Sequence, residues 1–159
     1  MGWDDLAKLL HVAVAIVFIS GLIGRWILLR KAAAATDPES AFLLAHAAEP
    51  FERIVIRGGP LILAAGLLTA WAQGYAWLGL TTGWMLASVI LLLSPLPFVP
   101  LVFLPRGKIF EAELAAAREQ GVITPALQAA FADPMVAFAR RWELTAVALV
   151  VVLMVLKPF

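Results

Sequence analysis

The sequence predicts an all-α fold: a four-helix antiparallel bundle set in a membrane, with short cytoplasmic connecting helices. Composition, four long apolar stretches and a one-sided distribution of basic residues predict it. Of 159 residues, 63% are hydrophobic and 14% charged, against about 45–50% and about 25% in a soluble domain. So few charged groups cannot cover a water-facing surface, which excludes a soluble globular enzyme and a disordered chain. The chain has no cysteine, which removes disulfide stapling, thiolate chemistry, Cys-ligated zinc and iron–sulfur clusters. Its 12 basic and 11 acidic residues leave a net charge of +1, no electrostatic footprint for nucleic acid. Residues 1–159 read as a single integral membrane domain whose partner is the lipid bilayer.

A helix crosses the hydrocarbon with about 20 mostly apolar residues. Leu6–Leu29, Ile54–Ala76, Trp84–Leu104 and Met135–Leu156 each meet that length. The first is not a cleavable signal peptide. Asp4 and Asp5 stand where a basic segment belongs, and no small-residue cleavage site follows the apolar run. Basic residues set the orientation. Arg25, Arg30, Lys31, Arg53 and Arg57 flank the first connection, and Arg106, Lys108, Arg118, Arg140 and Arg141 flank the third. Only Lys8 and Lys157 lie toward the other side. The positive-inside rule then puts both connections in the cytoplasm and both termini outside. Trp3, Trp71, Trp77 and Trp84 fall at the outer interface, Trp26 and Trp142 at the inner one.

The connections carry helix punctuation. Asp37–Pro38, Thr124–Pro125 and Asp133–Pro134 each offer an N-cap followed by proline at the first helical position. A short helix is expected over Pro38–Ala48, ended by Glu49–Pro50. Another is expected over Lys108–Gln120, stopped at Gly121, with a short one after Pro125. Glu111, Glu113, Arg118 and Glu119 read as a solvated or headgroup-facing surface. The outer connection, Gln73–Gly83, is short and uncharged.

The fourth span departs from the others. Its uninterrupted apolar run, Leu144–Leu156, covers only about 20 Å, so the helix must take in Arg140, Arg141, Trp142 and Glu143. Counted from Lys157, Glu143 lies about 21 Å deep. Unpaired charge in hydrocarbon is costly, so Arg25, Arg57, Arg140 or Arg141, and Glu143 are expected to face one another. Gly58–Gly59–Pro60 breaks the second span at the same level, and Ser94–Pro95, Pro97, Pro100 and Pro105 break the third. Irregular backbone beside buried charge points to a substrate-binding cavity for an anionic solute. The alternative is a kinked bundle whose arginines reach the headgroups and pair with Glu52 and Glu143 for topology alone.

The two histidines are placed more than about 20 Å apart, too far to share a metal in one protomer. His46 reads as a solvated loop residue. His11 sits about 8 Å inside the outer edge of the first span, level with Met85, Met154 and Lys157. A histidine with a methionine suits axial ligation of a b-type haem, or a soft metal site for copper on His11. A neutral histidine bonded to a backbone carbonyl is the alternative. No phosphate loop, paired-histidine zinc motif or nucleophile elbow is present. Gly21 and Gly24 read as small residues that let helices approach.

His11 with its apolar run to Gly21, Gly66-Leu-Leu-Thr69, Thr82-Gly83-Trp84 and Met154-Val-Leu-Lys157-Pro158 form an ordered set over nearly the whole chain. Together they resemble an uncharacterised family of integral membrane proteins, a domain of unknown function about this long. That family is similar, more distantly, to the copper-resistance D proteins and the HemJ-type protoporphyrinogen oxidases. The resemblance implies a multi-pass protein of the bacterial inner membrane and a histidine that binds haem b. His11 matches that histidine, and Arg25 takes the place of a downstream arginine, at a shorter spacing from Gly21. Three functions are then expected as alternatives. One is a haem- or metal-binding redox-associated protein using His11, Met154 and Lys157. Another is a small transporter or binder of anionic solutes using Arg25, Arg57, Arg140, Arg141 and Glu143. The third is a non-catalytic accessory subunit within a homo-oligomer or a larger membrane complex.

Overall fold

Residues 2–158 are described in a computed structural model. Among them the chain forms six α-helices: α1 Trp3–Ala33, α2 Pro38–Ala72, α3 Gly83–Leu93, α4 Leu104–Gln120, α5 Pro125–Phe131 and α6 Pro134–Leu156. Helix α1 packs along α2, α2 against α3, α3 against α6, and α6 back on α1, which closes a four-helix bundle. The beginning of α1 and the end of α6 share one end of this bundle, called here the terminal end. The opposite end carries the connections α1–α2 and α3–α6. Phe18, Leu22 and Ile62, with Val55, Leu92, Leu144 and Val147, fill the centre of the bundle. Leu9, Val17, Ile56, Leu61 and Ile90 are exposed on its outside, as a lipid-facing surface requires.

Helices α1 and α2 are long and apolar enough to cross a membrane. At 31 and 35 residues they measure about 46 and about 52 Å, against a hydrocarbon core of about 30 Å. The excess stands out at the connection end, where it builds a second core with α4 and α5. Ala32, Ala41, Ala45, Leu114, Ala117 and Leu127 are its buried residues, with Phe42, Phe110 and Phe131 packed around them. Arg118 fastens this unit. It donates two bonds to Glu39, at 2.7 and 3.0 Å, and its guanidinium lies 4.1 Å from the Phe42 ring centroid. The solvated face expected on α4 therefore includes one residue that ties α4 to α2.

The expected break at Glu49–Pro50 does not occur, and neither does one at Gly58–Gly59–Pro60. Helix α2 runs through both prolines without interruption. Each proline removes an N–H and crowds the preceding turn, at about 3 kcal/mol. Close packing on α1 offsets that cost. Gly21 lies against Ile54 and the Phe51 carbonyl, Gly24 against the Phe51 ring, and Gly58 against Phe18, each where a side chain would collide. His46 is consequently a helical residue, not a loop one. Its ring stacks on Phe42 at 4.0 Å, and Nδ1 lies 3.2 Å from the Phe42 carbonyl.

The third span is not one helix from Trp84 to Leu104. Helix α3 stops at Leu93, turns occupy Ser94–Pro97, and one π-helical turn over Val99–Phe103 leads into α4. The cluster of prolines enforces this, because successive missing N–H groups leave no regular ladder to propagate. Helix α4 thus begins four residues before Lys108. Trp142 on α6 donates its indole N–H to Ser94 Oγ at 2.8 Å and fastens the break to the bundle. The expected caps are present. Asp37 accepts from Ser40 N at 2.8 Å, Thr124 from Leu127 N at 3.1 Å, and Asp133 from Met135 N and Val136 N at 2.9 and 3.0 Å. Gly121 ends α4 in the left-handed conformation at φ 68.

Candidate functional site

A cavity of about 400 Å³ opens at the terminal end between α1, α2, α3 and α6. Its walls are mainly apolar, and His11 is the titratable side chain that enters it from the middle of a helix. The imidazole sits against Gly66 of α2, so closely that a Cβ there would be 3.2 Å from His11 Cε1. Any larger residue there would have to displace the ring. His11 Nδ1 is buried with no hydrogen-bond partner. Nε2 is neither sealed nor bonded, so it is the nitrogen that faces the cavity.

Thr69 fixes the turn that carries His11. Its hydroxyl lies 2.9 Å from the Ala7 carbonyl and 2.8 Å from that of Ala65. The Ala7 carbonyl is the one that accepts the His11 backbone N–H in a regular helix. Gly66 and Thr69, three residues apart on one face of α2, therefore perform two tasks for one side chain: space for the ring and anchorage for its backbone.

The far wall belongs to α3 and α6. Met85, Ser88, Met154 and Lys157 line it. Trp84 does not serve as an outer-interface anchor, since it is 6% exposed, whereas Trp77 on the neighbouring turn is 82% exposed. Lys157 ends α6 in the left-handed conformation and holds Nζ 5.6 Å from the Trp84 ring centroid, within cation–π range. Lys8, the other cation at this end, is 3.2 Å from Asp4 and 3.7 Å from Asp5.

The connection end holds the charged residues. Arg25 of α1 donates to Glu143 of α6 in a buried ion pair, with side chains 9% and 11% exposed. Arg140, one turn before Glu143, is half-buried beside them and faces a cleft of about 370 Å³. Arg57 and Arg141 stand outside this group, exposed on the bundle surface. Their helical phase decides it: Arg57 neighbours the buried Gly58 but points away from α1, and Arg141 points away from the face shared by Ala139, Glu143 and Ala146. Glu52, which reaches the cleft from α2, takes a place in the group instead. His46 lines this cleft and His11 the other cavity, so the two histidines serve opposite ends.

A family model described as "Predicted integral membrane protein (DUF2269)" matches residues 5–158. The chain belongs to this family. No curated protein and no solved structure matches it. As an integral membrane protein it presents its apolar exterior to lipid. The sequence stretches quoted above for the family resemblance meet in one place: His11, Gly66, Thr69, Trp84, Met154 and Lys157 all line the terminal-end cavity. Residues dispersed over nearly 150 positions are brought to one cavity. Thr69 draws no role from the sequence, and Trp84 draws only that of an interface residue, which its burial overturns. The i, i+3 spacing of Gly66 and Thr69 was the signal available for one of them.

The cavity combines an imidazole nitrogen free to ligate, thioethers of Met85 and Met154, apolar walls and a cation at the rim. Its volume falls in the range of small-molecule sites, about 300–1,000 Å³. One imidazole and two thioethers are soft donors that suit either a copper ion or a haem, whose porphyrin brings four nitrogens of its own.

Proposed function

We propose that this protein is a four-span haem-binding membrane protein with a redox-associated role, its terminal end outward and its site in the terminal-end cavity. One observation carries the reading: His11 buries Nδ1 against α2 and presents Nε2 to an apolar cavity. A histidine that ligates iron uses one ring nitrogen for the metal and leaves the other to the protein. In this proposal His11 and Met154 would hold the haem iron, and Lys157 would pair with a carboxylate at the rim. Bound haem would supply one-electron chemistry. The protein's own residues would hold the imidazole against α2 and surround the ligand with mainly apolar walls. The ratio of basic residues, ten toward the connections and two toward the termini, supports the orientation.

Expression with a haem precursor followed by detergent purification tests the site. The expected result is a Soret band that His11→Ala abolishes while elution from a sizing column is unchanged. A purified protein that shows no Soret band and takes up no added haemin overturns it. Copurification with a larger complex, without any bound chromophore, would favour the accessory-subunit reading instead.

A further inference from the structure

We propose that the connection-end cleft binds the phosphate group of an anionic ligand, with Arg140 as the recognising side chain. The cations around this cleft are not equivalent. Arg25 is matched by Glu143, and Arg106 donates to Asp133 at 2.7 Å. Arg140, though half-buried, makes no hydrogen bond or ion pair with any described residue. Its nitrogens are nonetheless not sealed in protein, so they remain open to the cleft. A guanidinium held this deep with no anion is an incomplete site, because partial desolvation weakens its hydration without supplying a counter-charge.

The carboxylates nearby do not complete it: Glu49, on the cleft wall, lies 3.8 Å from Arg53, and Glu111, also on the wall, is exposed and makes no ion pair with Arg140. Glu143 is engaged by Arg25, and Glu52, within electrostatic reach of Arg140, is exposed on the cleft wall and makes no ion pair with it. Lys108 adds a second cation to the rim. The cleft of about 370 Å³ exceeds the size of a bare ion, and Leu29, Phe103 and Leu104 give it an apolar flank. An arginine fork, with a lysine on the same cleft, matches the charge of a phosphate ester. The apolar flank suits the glycerol and chain root of a phospholipid; the open side suits a soluble phosphate ester. Both present the same group to Arg140.

Titration calorimetry on the detergent-solubilised full chain separates these sources. The probes are short-chain phosphatidylglycerol, glycerol phosphate and inorganic phosphate. Binding of the lipid alone identifies a headgroup site; binding of glycerol phosphate or inorganic phosphate as well identifies a soluble ester site. In either case Arg140→Gln is expected to weaken binding about tenfold or more, as loss of a charge-assisted fork does. Glu52→Gln, which removes the competing carboxylate, is expected to tighten it about twofold or more. Failure of all three probes to bind overturns the proposal, as does unchanged affinity in Arg140→Gln. Should that variant not elute as a folded species, Arg140→Lys and Glu52→Gln decide. Unchanged affinity in both of them refutes the role of Arg140.

Discussion

At the terminal end the polar groups that enter the bundle interior are uncharged and incompletely used: His11 with a free Nε2, Ser88 bonded to the Trp84 carbonyl at 2.7 Å, and Thr69 bonded to backbone. At the connection end they are charged and largely consumed by one another, as in Arg25–Glu143 and Arg106–Asp133. The difference teaches where each end keeps its capacity to bind. An apolar cavity with one uncommitted imidazole holds a ligand by shape and a single donor. A cleft of paired charges holds the bundle together first, because removing either partner strands a charge in a poorly solvated place. Arg140 is the exception that gives the second end a binding capacity of its own.

That contrast makes the largest expected effect a structural one at the connection end. Glu143→Leu leaves Arg25 buried and unpaired, with an expected loss of about 3–5 kcal/mol. Thermal unfolding in detergent reads it, and adding Arg25→Leu to the same chain should recover most of the loss. If the double variant is no more stable than the single one, the pair does not act as a unit.

A smaller effect is expected at the terminal end. Gly66→Val drives atoms into the space of the His11 ring, with a cost of about 1–3 kcal/mol from overpacking. It should reduce haem retention out of proportion to its effect on stability, measured as the ratio of Soret to protein absorbance. Retention that merely tracks unfolding would blur the distinction between the two ends. Thr69→Val keeps the shape of the side chain but drops its bond to Ala7, for an expected loss of about 1 kcal/mol.

The smallest effect concerns the overhanging platform. The Ser40 backbone N–H holds the Asp37 carboxyl below its usual value. A depressed folded value means the stabilisation is complete above the unfolded value, about 3.9, and is lost as pH falls through the folded one. Asp37→Asn should therefore flatten the acid limb of the stability curve below about pH 4. An unchanged acid limb would remove this cap from the contributors to platform stability.

Much of the architecture was legible in the sequence because it depends on quantities that sum along the chain. Apolar length, basic-residue bias and capping residues each act locally, so Asp37, Thr124, Gly121 and Asp133 end or start helices where expected. The helical continuity of α2 was not legible. Pro50 and Pro60 are local helix breakers, and only the fit of Gly21, Gly24 and Gly58 into opposing side chains overrides them. The candidate sites divide in the same manner. Depth along a helix follows from counting at 1.5 Å per residue, which put His11 level with Met154 and Arg25 near Glu143. Angular position about the bundle axis does not follow from counting, which is why Arg57 and Arg141 were grouped with residues they do not face.

By itself the sequence determined that the chain is helical, apolar outside, and divided into one end rich in charge and one end poor in it. Only the tertiary structure decided which charges are partnered, which Trp is buried, and which nitrogen of His11 is left free. The reason is that composition and periodicity fix the free energy of placing a residue at a given depth. Partnership depends on the relative rotation of packed helices, which is set by the interlocking of side chains far apart in the chain.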